Sequence, residues 1–206
     1  MEYRLFETGA VPEWTTAAWY AGRETAPHLE QPGGHRERLI AAADAIKDEF
    51  YDDDYGLTSV TDLGAGDGGL LSLLTPALTP RVRLRGYDLQ QSNVDAAREN
   101  RGVAVELRDV IAEPVDWSGP WDGWTSCAVA TEMLEHLIDP HGFVRGLPAR
   151  MIVASSPWAE TDRDHYDFHT WAWDHLGYAK MLHDGGFEII RHDTVLGFQV
   201  AVGVKP

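Results

Sequence analysis

The feature that most constrains the fold is a glycine-rich stretch between residues 59 and 71. It begins with Ser59-Val60-Thr61-Asp62-Leu63, a short run that is typical of a buried strand. Four glycines follow within six residues, and Leu70-Leu71 then begins an apolar segment that favours a helix. Glycines allow positive φ angles and let a ligand approach the main chain closely. The stretch therefore predicts a strand, a tight turn and a helix start around a bound nucleoside.

Two kinds of nucleoside site fit this loop. A hydride-transfer dinucleotide site has the pattern G-x-G-x-x-G, which Gly64, Gly66 and Gly69 match. It also needs an acidic residue about 20 positions later, where Asp88 ends the next predicted strand. The other kind binds a nucleoside that carries an amino acid. Asp62 favours this second kind, because a carboxylate just before the glycines repels a pyrophosphate but accepts hydrogen bonds from an ammonium group.

The sequence Asp-Leu-Gly-Ala-Gly-Asp-Gly at 62–68 resembles motif I of the class I S-adenosylmethionine (SAM)-dependent methyltransferases. The resemblance covers residues 35–206 by the order of landmarks. It implies an α/β, doubly wound fold with a mostly parallel, seven-stranded Rossmann-like sheet and a C-terminal antiparallel hairpin. It also implies that Asp88 holds the ribose hydroxyls and that Leu89 and Val110 flank the adenine. The residues expected to bind SAM are Asp62, Gly64, Ala65, Gly66, Asp88, Leu89, Asp109, Val110 and Thr131.

The rest of the chain alternates strands with helices, which predicts a parallel sheet with right-handed crossovers. After the first strand, further parallel strands are expected at 82–87, 103–107, 124–130 and 149–155. Helices are expected at 35–51, 69–74, 90–101, 139–147 and 170–184, and the final hairpin at 188–196 and 198–204. Ligands bind at the carboxyl ends of such strands. An Asp at one strand end is often only a turn residue, but Asp62, Asp88 and Asp109 at successive ends favour a site.

Residues 1–34 form a separate arm in this prediction, ahead of a methyltransferase domain at 35–206. Pro12, Pro27 and Pro32 interrupt the arm, so an irregular segment with one short helix near residues 14–22 is expected. Two roles remain open. The arm is either a terminal extension packed on the surface or a lid that carries four residues over the cofactor, namely Trp19, Tyr20, Arg23 and His28.

A second motif follows the strand at 124–130. In a helix, the spacing of Glu132, Glu135 and His136 places all three on one face. The motif is similar to the Glu-x-x-Glu-His element of ubiquinone-biosynthesis O-methyltransferases and Hen-type RNA 2′-O-methyltransferases, where it helps to hold a divalent ion. Many metal-free methyltransferases also have Glu-His at this place.

This similarity implies a metal site completed by a histidine after the next strand. His165 is our first choice and His169 our second, because the loop spacing does not fix which one points inward. Mg²⁺ or Mn²⁺ is expected ahead of Fe²⁺ or Zn²⁺. Glu135, His136 and His165 then form the expected catalytic group, in which the ion lowers a hydroxyl pKa and a histidine takes the proton. A metal-free pocket with His136 as the base is the alternative.

Composition limits the partners. The formal net charge of −16 argues against extended nucleic-acid binding, which depends on Lys and Arg, but allows a short RNA end. No run of residues matches a membrane span or a signal peptide, so a cytoplasmic location is expected. The single cysteine, Cys127, lies in an apolar run and is expected to be a core thiol. Nothing in the sequence indicates an oligomeric state.

Methyl transfer from a sulfonium requires mainly orientation of the acceptor and removal of a proton. This fits a sequence without an obvious nucleophile. The first functional hypothesis is therefore a SAM-dependent O-methyltransferase for a small hydroxylated acceptor, such as a catechol-like ring or a sugar diol. An RNA 3′-terminal 2′-O-methyltransferase is the alternative of the same class. An NAD(P)-binding oxidoreductase module and a non-catalytic methyltransferase-like protein are the other two hypotheses.

Overall fold

The computed structural model describes residues 1–52, 55–78, 80, 82–117 and 126–206. The strands are β1 (Glu2–Arg4), β2 (Ser59–Leu63), β3 (Arg83–Asp88), β4 (Val105–Leu107), β5 (Ser126–Thr131), β6 (Met151–Pro157), β7 (Trp171–Trp173), β8 (Glu188–Val195) and β9 (Phe198–Val204). The α-helices are α1 (Ala17–Ala21), α2 (His35–Asp52), α3 (Gly69–Leu74), α4 (Gln91–Ala96), α5 (Pro140–Gly146) and α6 (His175–Asp184). Short 3-10 turns lie at Glu13–Thr15 and Leu134–His136, and a π turn at Ala97–Arg101 extends α4.

The main sheet has seven strands in the order β4-β3-β2-β5-β6-β9-β8. The first five are parallel to one another, whereas β9 is antiparallel to both β6 and β8. This confirms the predicted doubly wound α/β fold and its C-terminal hairpin. An antiparallel strand between β6 and β8 also separates this sheet from the dinucleotide-binding order 3-2-1-4-5-6.

Both faces of the sheet are covered by helices. On one face, α2 and α3 bury Ile46, Leu70 and their neighbours against β2, β6 and β9. On the other face, α5 and α6 bury Val144, Tyr178 and Leu182 against the side chains that β2, β6 and β9 present on that face. Because Ile46 and Val144 are fully buried, truncating either side chain to alanine should cost about 2–4 kcal/mol. The two cores hold the strand ends in fixed register.

Several predicted boundaries differ from the structure. The helix expected over 170–184 begins only at His175, because Trp171–Trp173 form β7 and pair antiparallel with β1. The partner strand comes from the arm, for which the sequence predicted only an irregular segment with one short helix near residues 14–22. The start of the strand expected at 124–130 lies outside the described residues, and β5 runs over 126–131. Among the described residues, no helix is long and apolar enough to cross a membrane.

Candidate active site

A cavity of about 1240 Å³ lies at the carboxyl ends of the parallel strands. Its walls come from the segments that follow β2, β3, β4, β5 and β6, and from the arm. All nine residues expected to bind SAM line it: Asp62, Gly64, Ala65, Gly66, Asp88, Leu89, Asp109, Val110 and Thr131. The cavity wall therefore contains every residue that the sequence assigned to the cofactor, and their role in binding it stays a prediction.

The glycine loop is held against β3 by its own main chain. The N–H groups of Gly64 and Ala65 both donate to the Tyr87 carbonyl at 2.9 Å. Gly66 has a φ of +55° and Gly68 a φ of +74°, which favours glycine at both positions. At Gly68 a Cβ would also lie 2.5 Å from Val103 Cγ2. The loop is thus pre-formed, and its Gly66 edge faces the cavity.

Asp88 is the anchor between this loop and the next one. Its Oδ2 accepts a hydrogen bond from the Gly66 N–H at 2.8 Å, and its Oδ1 accepts from the Gln90 N–H at 2.8 Å and the Asn93 amide at 3.2 Å. Burial raises its pKa, while these hydrogen bonds act in the opposite direction. A carboxylate has about four acceptor positions, so Asp88 retains capacity for a ligand hydroxyl.

Asp62 is buried, and its Oδ1 has no hydrogen-bond partner among the described residues. Burial, then the charge of Asp88, raises its pKa to about 7, and the charge of Arg38 partly opposes this rise. A buried polar atom without a partner is unfavourable. A cationic donor in the cavity would satisfy Asp62 and return its pKa toward the ordinary value.

Asp109 has a structural use as well as a place in the cavity wall. Its Oδ1 accepts hydrogen bonds from the N–H groups of Ile111 and Ala112 at 3.0 and 3.1 Å. This is the turn-forming role that the sequence left open for an acidic strand end. The neighbouring Val110 is buried and presents an apolar surface to the cavity.

The Glu-x-x-Glu-His motif does not form the single helical turn that its spacing suggested. Glu132 has a φ of +53° and precedes the 3-10 turn at Leu134–His136. Its carboxylate accepts a hydrogen bond from Ser155 Oγ at 3.3 Å and lies 4.0 Å from Arg38 Nε. The structure thus corrects the placement of Glu132, which lines the cavity but lies outside the group of candidate ligands.

Three side chains do converge on one point. One ligand atom each from Glu135, His136 and His169 lie within 4.8 Å of one another. The choice of His165 is corrected, because its Nδ1 lies 3.0 Å from the Thr161 carbonyl and it belongs neither to this group nor to the cavity wall. His169, our second choice, takes that place. We call these three residues the Glu135-His136-His169 group.

The surroundings of this group suit a bound cation. His136 Nδ1–H donates to the Phe168 carbonyl at 3.0 Å, and His169 Nδ1–H donates to Glu160 Oε2 at 2.6 Å. Both bonds leave Nε2 as the free ring nitrogen, the arrangement that second-shell acceptors impose on metal-binding histidines. Both carboxylate oxygens of Glu135 are buried without a hydrogen-bond partner among the described residues.

The electrostatics of the group agree with this arrangement. Burial, reinforced by the charge of Glu132, raises the pKa of Glu135 well above its usual range. Burial, then His169, lowers the pKa of His136 to about 3. The His136 imidazole is therefore neutral and able to donate its lone pair, whereas Glu135 lacks a counter-charge that would stabilise its ionised form. A divalent ion would supply that charge, so the residues fit a metal.

Arg38 is a site residue that the sequence analysis missed. It lies on α2, is 1% exposed and donates from Nη1 to Ser155 Oγ at 3.4 Å. Its charge acts on both Asp62 and Glu132. A signal was available, because Arg38 precedes the buried Ala42 by four positions and so lies within the apolar stripe of the helix. A buried arginine among carboxylates compensates their charge.

The arm forms part of the cavity wall. Trp19, Tyr20, Arg23 and His28 all line it. The Arg23 carbonyl accepts hydrogen bonds from Gln90 Nε2 at 3.3 Å and Ser92 Oγ at 3.0 Å. Arg101 Nη2 lies 2.6 Å from Asp67 and also pairs with Glu30 of the arm. These contacts are the ones that a lid needs, and the role of the arm as a lid stays a prediction.

Comparisons with known proteins identify the fold. No family profile matches the sequence. An uncharacterized 37.1 kDa protein in transposon TN4556 of Streptomyces fradiae is 36% identical over 86 residues, which are 40% of this chain and 24% of that protein. The chain thus spans about a quarter of that relative.

Solved structures resemble it over most of its length. Magnesium protoporphyrin IX methyltransferase (ChlM) from Synechocystis PCC 6803 with bound SAM has a TM-score of 0.65 and 15% identity, covering 97% of this chain and 100% of that one. A SAM-dependent methyltransferase from Aquifex aeolicus has a TM-score of 0.60 and 17% identity, covering 86% and 95%. The [4+2]-cyclase SpnF has a TM-score of 0.59 and 16% identity, covering 91% and 90%.

Such low identities establish architecture rather than reaction, and SpnF is named for a reaction other than methyl transfer. Strand order, glycine loop and structural likeness agree with one another. The chain has the fold of the class I SAM-dependent methyltransferases.

Proposed function

We propose that this protein is a SAM-dependent O-methyltransferase that acts on a small acceptor with neighbouring hydroxyl groups, assisted by a divalent ion. One observation carries the proposal. The loop that resembles motif I and two members of the Glu135-His136-His169 group, His136 and His169, line the same cavity. A cofactor and an acceptor bound to these two walls would share one space.

The cofactor wall fits SAM group by group. Asp88 keeps acceptor capacity for the ribose hydroxyls, and Leu89 and Val110 offer apolar surface to the adenine. Asp62 has a buried oxygen without a partner, which the ammonium of the amino-acid part would satisfy. SAM supplies a methyl group that is already activated as a sulfonium, so the protein's task is to orient the acceptor.

The Glu135-His136-His169 group would hold the ion. One carboxylate and two imidazoles suit Mn²⁺, Fe²⁺ or Zn²⁺ better than Mg²⁺, which shifts the expectation from the sequence. An ion bound there would lower the pKa of an acceptor hydroxyl. Phe168 and Glu160 fix the two imidazoles through their Nδ1 atoms, and the tilted rings of Trp19 and Phe168, 4.9 Å apart, wall the acceptor space.

The proposal is tested by methyl transfer from SAM to catechol, followed as release of S-adenosylhomocysteine (SAH). We expect turnover with added Mn²⁺ or Zn²⁺, its loss after EDTA, and a thermal shift with SAH but none with NAD or NADP. Full turnover by protein whose measured metal content is substoichiometric would show that the reaction needs no divalent ion. His136, with its free Nε2, would then be the base. A thermal shift with NAD but none with SAH would overturn the proposal that the protein is a methyltransferase.

Two histidines of one loop provide a matched pair of variants. His169→Ala removes a member of the ligand group, whereas His165→Ala removes a histidine four positions away that lies outside it. We expect His169→Ala to lose metal uptake and metal-dependent turnover, and His165→Ala to keep both. Equal behaviour of the two variants would contradict the assigned ligand set. Metal content measured on each folded protein distinguishes the outcomes.

A further inference from the structure

The loop between β6 and β7, residues 158–170, is held on both sides by one side chain. Gln199 of β9 is fully buried. Its Nε2 lies 3.4 Å from the carbonyl of Pro157, just before the loop, and 3.3 Å from that of Trp173, in the strand that follows it. The same nitrogen lies 3.1 Å from Ser156 Oγ. A single amide group therefore joins the entry of the loop to its exit.

This loop builds one side of the proposed metal site. Within it, Glu160 Oε2 lies 2.6 Å from His169 Nδ1. Its Phe168 carbonyl lies 3.0 Å from His136 Nδ1. Both imidazoles of the Glu135-His136-His169 group are thus oriented by the loop. Residues that fix the ends of the loop therefore act on this group without contacting a bound ion.

The orientation of Gln199 is set by a pair of histidines. Its Oε1 lies 3.0 Å from His192 Nε2, and that nitrogen lies 3.2 Å from His175 Nδ1. His175 begins α6 and His192 belongs to β8. His175 Nε2 lies 2.9 Å from Thr194 Oγ1, and its ring stacks on that of Trp158, the first loop residue, with centres 5.3 Å apart. The pair therefore contacts the loop through both Gln199 and Trp158.

The acceptors around Gln199 fix the protons of both rings. Because its Nε2 faces two carbonyls, its Oε1 faces His192, and an amide oxygen can only accept a hydrogen bond. His192 Nε2 therefore carries a hydrogen. That N–H is shared with His175 Nδ1, which must offer a lone pair. His175 then keeps its own hydrogen on Nε2 and donates it to Thr194, so the network is complete only while His175 is neutral.

A further proton on His175 would break this network. A hydrogen on its Nδ1 would face the His192 N–H across 3.2 Å. Burial lowers the pKa of His192 from 6.5, while its hydrogen bond to Gln199 opposes the shift. Because the folded pKa of His192 is depressed, its contribution to stability is complete above about pH 6.5 and is lost as the pH falls. Further charged or titratable side chains beside the pair are Asp193 and Arg191 of β8, which pair with each other, Asp174 at the start of α6, and Tyr178 within it.

We infer that His175, His192 and Gln199 form an acid-sensitive clasp, which positions residues 158–170 at neutral pH and releases them when the histidine pair takes up protons. All three residues lie outside the cavity wall and are positioning residues. Release would loosen the loop that orients His136 and His169, and so weaken metal binding. The inference goes beyond the proposed function, and only its effect on the metal rests on that proposal.

Amide hydrogen exchange of the metal-free protein, followed by NMR, measures the clasp directly. From pH 7.5 to 5.5, the protection factors of Trp158 and Thr170, the first and last loop residues, should fall about two- to tenfold, as loss of one hydrogen bond gives. His175→Gln should keep this protection at both pH values. A glutamine side chain offers an acceptor to His192 and a donor to Thr194, and it has no proton to gain.

His183→Gln is the matched control, since His183 lies on the same helix, is exposed and lies outside the clasp. It should lose protection as the wild type does. Equal losses in wild type and His175→Gln would overturn the inference, as would wild-type protection that does not change with pH. If His175→Gln does not fold, ring nitrogen chemical shifts of the wild type at pH 7.5 decide instead. Both clasp histidines should be Nε2–H tautomers, and an Nδ1–H tautomer at His175 would overturn the clasp.

Calorimetry with Mn²⁺ alone tests the link to the metal. Acid protonates the metal ligands in every variant, so the comparison is between proteins. Between pH 7.5 and 5.5, wild type and His183→Gln should lose about two- to tenfold more affinity than His175→Gln. Equal losses in the three proteins would show that the clasp does not position the ligand group. If none of them binds Mn²⁺, the metal of the proposed function is wrong, and the exchange measurements still decide the clasp.

Discussion

The two halves of the cavity differ in how their polar atoms are satisfied. In the cofactor half, residues 62–68 and 88–93, main-chain N–H groups of the protein already bond to Asp88 and Tyr87. The acceptor half is formed by the arm, His136 and four residues of the loop after β6, namely Glu160, Tyr166, Phe168 and His169. The adjoining Glu135 has two buried carboxyl oxygens without hydrogen-bond partners among the described residues. The loop of the first half keeps its own shape through these bonds and leaves one oxygen of Asp62 unsatisfied, whereas beside the second half a whole carboxyl group lacks a partner among the described residues.

The largest expected effect is the loss of stability caused by a substitution in the glycine loop of the cofactor half. Gly68→Val should lower the free energy of unfolding by about 3–5 kcal/mol, because a Cβ would lie 2.5 Å from Val103 and the φ is +74°. Gly102→Val is the control, with a φ of +67° and no atom within 4 Å of a Cβ. It should cost about 1–2 kcal/mol. Urea unfolding of both variants measures the difference in unfolding free energy. Similar losses in the two variants would mean that the glycine loop shifts to make room for the side chain.

Asp88→Ala should weaken SAH binding by about 2–4 kcal/mol, or tens to several hundredfold, through loss of the ribose contacts. It should also destabilise the free protein, because the N–H groups of Gly66 and Gln90 lose their acceptor. Calorimetry and urea unfolding give the two values. Unchanged SAH affinity in the folded variant would place the ribose elsewhere.

The same halves differ in how far the sequence predicted them. The strand, the glycine turn and Asp88 follow from local chemistry, since few residues tolerate a positive φ and strand ends meet at one edge of a sheet. All nine predicted cofactor residues therefore line the cavity. The β7 strand could not be predicted in this way, because Trp171–Trp173 pair with Glu2–Arg4 at the other end of the chain.

The acceptor half was predicted in part. His136 and Glu135 were located by a motif, and the choice between His165 and His169 depended on the path of a loop that spacing does not encode. His169 points inward because Glu160 accepts its Nδ1–H, nine residues earlier in the same loop. Glu132 was misplaced for a local reason, since a positive φ at a non-glycine residue is uncommon and has no sequence signature. Arg38 was missed although its spacing of four positions before Ala42 places it in the apolar stripe of α2.

The third prediction is that a substitution at Glu135 stabilises the free protein, whereas the substitutions in the cofactor half destabilise it. Glu135→Met should raise the free energy of unfolding of the metal-free protein by about 1–2 kcal/mol, because it replaces a buried carboxyl without a partner by an apolar side chain of similar volume. Asp88→Ala has the opposite sign. The gain should disappear when wild-type protein is saturated with its metal. A Glu135→Met variant less stable than metal-free wild type would show that the carboxyl has a partner.

The smallest effect tests the boundary where the arm meets the glycine loop. His28 stacks on His35 with ring centres 5.4 Å apart, and its Nδ1 lies 3.8 Å from the Cβ position at Gly66. Burial, then the charges of Arg38 and His35, lowers the pKa of His28 from 6.5 to about 4. The folded protein therefore keeps His28 neutral at a pH where the unfolded chain binds a proton.

Its contribution to stability is complete above pH 6.5 and is lost as the pH falls from 6.5 toward 4. Between pH 7 and 5.5 the loss should be about 1 kcal/mol. His28→Gln removes the titration, so the wild type should lose about 1 kcal/mol more than the variant in urea unfolding over that interval. Histidines that do not contact His28 titrate equally in both proteins and cancel in the comparison. Parallel losses would mean that His28 stays accessible to protons, and that the arm opens over the loop without unfolding.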